Sequence, residues 1–117
     1  MEYGLSEEQG MIANTVRSFV EREIYPHEAL VERTGEVPNE IAQEIKQKTL
    51  DLGFYACNFP ESVGCAGLNH TDFALVEREL GRGSMALNHF FGRPQNILMA
   101  CEGEQIQRYL MPAVRGE

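Results

Sequence analysis

The chain has 117 residues, 43% of them hydrophobic and 24% charged, and a net charge of -8. That is the size and apolar fraction of one globular domain, able to bury roughly two thirds of the surface its unfolded form exposes but too short to add a large cofactor-binding domain. The acidic balance excludes a nucleic-acid binder, which needs a basic stripe against phosphates, and an electrostatic anchor to anionic membranes.

Ser6 and Gln9 have the spacing of a capping box, in which each side chain accepts from the other's backbone N–H. Behind it, Ile12, Val16, Phe19 and Val20 form one apolar stripe, predicting a helix to about Ile24. Pro26 should end or kink it, with a short helical continuation through Leu30. Thr34 to Pro38 is punctuation, and Pro38 suits the first turn of a second helix. Ile41, Ala42, Ile45 and Leu52 recur at helical spacing up to a left-handed stop at Gly53. The stretch from Phe54 to Asn69 has no helical period and reads as a long loop with a function.

Asn69 or Thr71 can cap the next helix, whose buried face is Phe73, Val76 and Leu80, and Gly81-Arg82-Gly83 breaks it. From Ser84 a further helical stretch is expected to about Cys101, interrupted near Gly92 and Pro94. Ile106, Tyr109, Leu110, Ala113 and Val114 form a last amphipathic set, limited by Pro112. No segment alternates with period two for long enough to make a strand. The expectation is an all-α domain of five or six helices in a small orthogonal or up-down bundle.

Cys57, Cys65 and Cys101 are an odd set without C-x-x-C spacing, which suits reduced, mostly buried thiols. The start, Met1-Glu2-Tyr3 followed by Ser6-Glu7-Glu8-Gln9, is unlike a secretory signal, and no apolar run approaches the roughly 20 residues that span a bilayer. A cytoplasmic protein is expected. His27, His70 and His89 are scattered and suggest no metal centre, and neither a nucleophile elbow nor a phosphate-binding loop is present. The first 60 residues hold eleven acids and five bases, the rest seven and five, which reads as a solvated acidic face.

Ser84 to Cys101 stands apart because it holds no Asp or Glu while carrying Met85, Leu87, Phe90, Phe91, Ile97, Leu98 and Met99. A helix apolar nearly all round is a central core helix, and that structural reading is the favoured one on pattern alone. Its functional counterpart is a wall for an apolar ligand, with Asn88, His89 and Arg93 as the few polar groups.

In order and spacing, the punctuation resembles the N-terminal helical domain of the acyl-CoA dehydrogenase family. The pieces are Leu5-Ser6-Glu7-Glu8-Gln9, Arg17-Ser18-Phe19, Glu23-Ile24-Tyr25-Pro26, Thr34-Gly35-Glu36-Val37-Pro38 and Leu52-Gly53-Phe54. They continue with Pro60-Glu61-Ser62-Val63-Gly64-Cys65-Ala66-Gly67, Glu77-Arg78-Glu79-Leu80-Gly81, and Gly103-Glu104-Gln105 leading to Arg108-Tyr109-Leu110-Met111-Pro112. Cys65 stands where the family usually has a second glycine, a version similar to the glutaryl-CoA dehydrogenase branch. The segment from Ser84 to Gly103 is a few residues shorter than in the straight-chain enzymes.

The resemblance implies a three-domain flavoprotein in which FAD takes a hydride from the β-carbon of an acyl-CoA while a Glu removes the α-proton. It implies electron-transfer flavoprotein as a partner, a homo-oligomer, and a place in fatty acid or amino acid catabolism. The base and nearly all of the FAD site are expected outside residues 1–117, so no catalytic residue is assigned here and Glu61, Glu77 and Glu79 are not substitutes. The positions matching the family's acyl-pocket wall are Asn88, His89, Phe91 and Gly92, with Asn88 and His89 facing the acyl tail and Phe91 as an apolar wall. Other readings are a stand-alone helical interaction module, or part of an acyl-CoA oxidase or flavin monooxygenase of the same fold.

Overall fold

The structure, a computed structural model, describes residues 4–117, so the opening Met1-Glu2-Tyr3 lies outside the described residues. Helix α1 (Glu7–Phe19) starts at the expected capping box: the Gln9 N–H donates to Ser6 Oγ and the Ser6 N–H to Gln9 Oε1, both at 3.1 Å. Ala13, Val16 and Phe19 are its buried stripe.

A single π-turn, Val20–Ile24, follows, closed by the Tyr25 N–H on the carbonyl of Val20, and helix α2 (Tyr25–Thr34) continues from it. Pro26 is the cause. It has no N–H for the carbonyl of Arg22, so the chain widens by one residue before resuming the α geometry. The expected kink is therefore a bulge, and the helix beyond it runs to Thr34 and not Leu30. Gly35, at φ 74°, ends α2 with its N–H on the carbonyl of Val31.

Helix α3 (Asn39–Leu52) begins directly after Pro38, buries Ala42, Ile45 and Thr49, and stops at Gly53 as expected. Leu52, read as part of its apolar face, is 46% exposed. The loop from Phe54 onward closes on itself, the N–H groups of Gly67 and Leu68 donating to the carbonyls of Phe59 and Cys57. Helix α4 (His70–Leu80) is capped by Asn69, whose Oδ1 accepts from the Asp72 N–H at 2.8 Å. Helix α4 packs along α1, and Gln9 reaches Asp72 Oδ1 to bind the two together at their starts.

Ser84 to Cys101 departs most from expectation. In place of a long apolar helix it forms the short α5 (Met85–Asn88), a 3-10 turn (His89–Phe91), an extended passage and another 3-10 turn (Asn96–Ala100). Gly92, at φ 84°, and Pro94 stop any helix from propagating. Only Leu87 and Phe91 of its large apolar residues are fully buried, whereas Met85 and Ile97 are 86% and 76% exposed. The chain closes with a second π-turn, Ile106–Leu110, leading into α6 (Met111–Arg115), where Pro112 takes the part of Pro26.

The described residues contain no strand, and the class is all-α as expected. The main core joins Val16, Phe19, Val20 and Ile24 to Ile45, Val76, Leu80, Leu87 and Phe91. Phe91 is its hinge, edge-to-face on Phe19 with ring centres 5.4 Å apart and tilted against Phe54 at 6.2 Å. A smaller core of Ala56, Phe59, Leu110 and Val114 holds the C-terminal turns, with Cys65 and Cys101 packed at its edge. Cys65 is thus a loop-packing residue.

Candidate functional site

A cavity of about 630 Å³ lies between the Tyr55–Asn58 turn, α4 and the segment 89–98. Sites for small molecules commonly fall in this size range, from about 300 to 1,000 Å³. Its wall is built by the passage after α5. Tyr55 lies so close over Gly92 that a Cβ there would sit 2.0 Å from the ring, and the Gly92 carbonyl accepts from the Ala56 N–H at 2.8 Å. Only a glycine allows both that contact and the positive φ.

Of the residues expected to form a pocket wall, His89 and Gly92 line this cavity. His89 is exposed, its ring edge-to-face on Phe90. Asn88 and Phe91 sit behind them. The Asn88 amide donates to the carbonyls of Leu80 and Gly83, tying the start of the segment to the end of α4, while its Oδ1 is buried with no donor among the described residues. Phe91 fills the core with no exposed surface. The segment is also fastened to α2, where Glu28 accepts from the Ser84 N–H at 2.7 Å.

The cavity also holds an ion pair that the spacing of the sequence did not reveal. Arg93 donates from Nη1 to Glu77 Oε2 at 2.5 Å, across sixteen positions of chain. Glu77 Oε1 is shielded from solvent and has no donor among the described residues. Beside it Asn58 donates to Asn96 Oδ1 at 2.7 Å, bracing the opposite wall. Arg93 was among the polar groups flagged in the sequence; its partner on α4 was not.

Two residues beyond Glu77 on α4, Glu79 occupies a different environment. Its side chain has no exposed surface, yet it carries a full ionic shell. Arg17 donates to it through Nε and Nη2, both at 3.0 Å, Arg82 through Nε at 2.6 Å, and Arg78 through Nε and Nη2 at 3.2 and 3.0 Å. The hydrogen bonds from Arg17, and after them those from Arg82 and Arg78, outweigh the cost of burial and hold its carboxyl down at about 2. A carboxylate so acidic does not take a proton at neutral pH, so Glu79 is a structural hub. Cys57 is no nucleophile, because burial pushes its thiol up to about 11.

The described residues include no group of three His, Cys, Asp or Glu arranged to hold a metal ion, and no helix long and apolar enough to cross a membrane. The cavity does not fit the pyrophosphate of a flavin dinucleotide, since Glu77 and Glu117 set two carboxylates against the one guanidinium of Arg93.

Residues 6–117 match the family model of the acyl-CoA dehydrogenase N-terminal domain. The chain belongs to the acyl-CoA dehydrogenase family. It is 30% identical to a benzylmalonyl-CoA dehydrogenase of Aromatoleum aromaticum over 100% of its length and 31% of that protein. It is 32% identical to a subunit of a caffeyl-CoA reductase-Etf complex of Acetobacterium woodii, over 96% of the chain and 30% of the relative. With a probable acyl-CoA dehydrogenase of Bacillus subtilis it shares 34% identity, over 99% of the chain and 31% of the relative. The domain thus spans about three tenths of the length of the curated relatives it matches. No solved structure matches it.

Proposed function

We propose that residues 1–117 act as the N-terminal helical domain of a FAD-dependent acyl-CoA dehydrogenase, in which the segment Asn88–Gly92 forms part of the acyl-pocket wall. The observation that carries this reading is the division of labour in that segment: His89 and Gly92 stand on the cavity wall, while Asn88 and Phe91 anchor it from behind. Membership of the family supports the reaction class, the α,β-dehydrogenation of an acyl-CoA thioester. In this reading the flavin that accepts the hydride and the carboxylate base lie outside these residues, so the domain alone is colourless and inactive. The kinship with a protein of an Etf complex supports electron-transfer flavoprotein as the partner. A cytoplasmic homo-oligomer completes the proposal.

A second reading, a helical interaction module, draws on the exposure of Met85 and Ile97. In the first reading these side chains meet further domains.

The test is acyl-CoA-dependent dye reduction by the protein carrying this domain, across thioesters of increasing chain length. His89→Leu should shift the preferred length with folding unchanged. An unaltered length profile removes His89 from the wall. Stoichiometric flavin bound to the isolated 117-residue chain would overturn the assignment of the cofactor elsewhere.

A further inference from the structure

Resting on that reading, we propose that the acyl group this cavity accepts ends in a neutral hydrogen-bonding group, a hydroxyl above all, which meets the Glu77–Arg93 pair. The two side chains are 39% and 29% exposed, so both keep water in the empty cavity. Each is also incompletely satisfied. A guanidinium has five N–H donors, and among the described residues only Arg93 Nη1 finds a protein acceptor, on Glu77. Glu77 Oε1 has no donor among the same residues.

A purely alkyl tail placed here would strip water from the pair and return nothing, a desolvation cost that apolar contact does not offset. A carboxylate tail would gain Arg93 but approach Glu77 and Glu117, leaving net repulsion. A hydroxyl meets both needs, since it accepts from a free N–H of Arg93 and donates to Glu77. The carboxylate plane reaches it by turning about its last torsion, which is broad and soft. The cavity, at about 630 Å³, has room for a tail of this kind.

The experiment compares kcat/KM of the protein carrying this domain for ω-hydroxyhexanoyl-CoA and heptanoyl-CoA, which differ by a hydroxyl against a methyl, with adipoyl-CoA as the anionic counterpart. The wild type should favour the hydroxylated thioester by roughly tenfold, the worth of one charge-assisted hydrogen bond. Arg93→Met should erase that preference while heptanoyl-CoA is still oxidised. Because the readout is a ratio between substrates, general damage to the variant cancels, and the wild-type ratio decides the matter even if Arg93→Met does not fold. Equal turnover of the hydroxyl and methyl thioesters, or a stronger preference for adipoyl-CoA, overturns this proposal alone. Failure to oxidise any thioester overturns the underlying reading of the function and this proposal with it.

Discussion

Replacing Glu79 by Gln tests how the domain is held together. The variant keeps the shape of the side chain but removes the charge at the centre of five N–H···O contacts from Arg17, Arg78 and Arg82. The three arginines are 41%, 52% and 48% exposed and can turn to water, whereas the carboxylate is fully buried, so the energetic stake lies with Glu79. A carboxyl held at about 2 against an ordinary 4.5 corresponds to about 3 kcal/mol at neutral pH. Since the folded value is depressed, that stability is fully present above 4.5 and is lost as the pH falls towards 2. Urea unfolding of wild type and Glu79→Gln should differ by about 3 kcal/mol at neutral pH, narrowing to about 2 kcal/mol near pH ~3.5. A difference below about 1 kcal/mol, or one that does not narrow on acidification, would refute an ionised hub.

Gly92→Ala should destabilise the domain by about 3 kcal/mol, from the positive φ and the collision with the Tyr55 ring together. Urea unfolding measures it, and a loss under about 1 kcal/mol would mean that Tyr55 moves aside freely. Cys57, with its thiol raised to about 11 and no exposed surface, should resist alkylation in the native protein and react on unfolding. Rapid labelling of Cys57 in the folded chain, read by mass spectrometry of its peptide, contradicts this burial.

What the sequence disclosed was local. The Ser6–Gln9 box, a cap at Asn69, one of two candidates with Thr71, and the stop at Gly53 each depend on residues within one turn, and each is present. The ionic shell of Glu79 was hidden because its largest contribution comes from Arg17, sixty-two positions away. The pair in the cavity escaped notice for the same reason. Ser84 to Cys101 misled for a different one: its apolar residues look alike in a sequence, yet Leu87 and Phe91 point into the core while Met85 and Ile97 face solvent. Hydrophobicity names candidates for burial, and the neighbours decide. The sequence singled out Asn88, His89, Phe91 and Gly92, but which of them reach the cavity and which lie behind it depends on Tyr55 and α4, which no spacing rule connects to them.

The two π-turns have a consequence for chain length. Val20–Ile24 and Ile106–Leu110 each carry one residue more than an α-turn, and each lies just ahead of a proline, Pro26 or Pro112. The surplus residue is stored in the wall of a helix and not in a loop, where insertions are usually tolerated. Removing one residue together with the proline would let either turn close to ordinary α geometry, and the helix would survive with its outer face rotated. These two sites are therefore positions inside helices that can lose a residue without opening a loop.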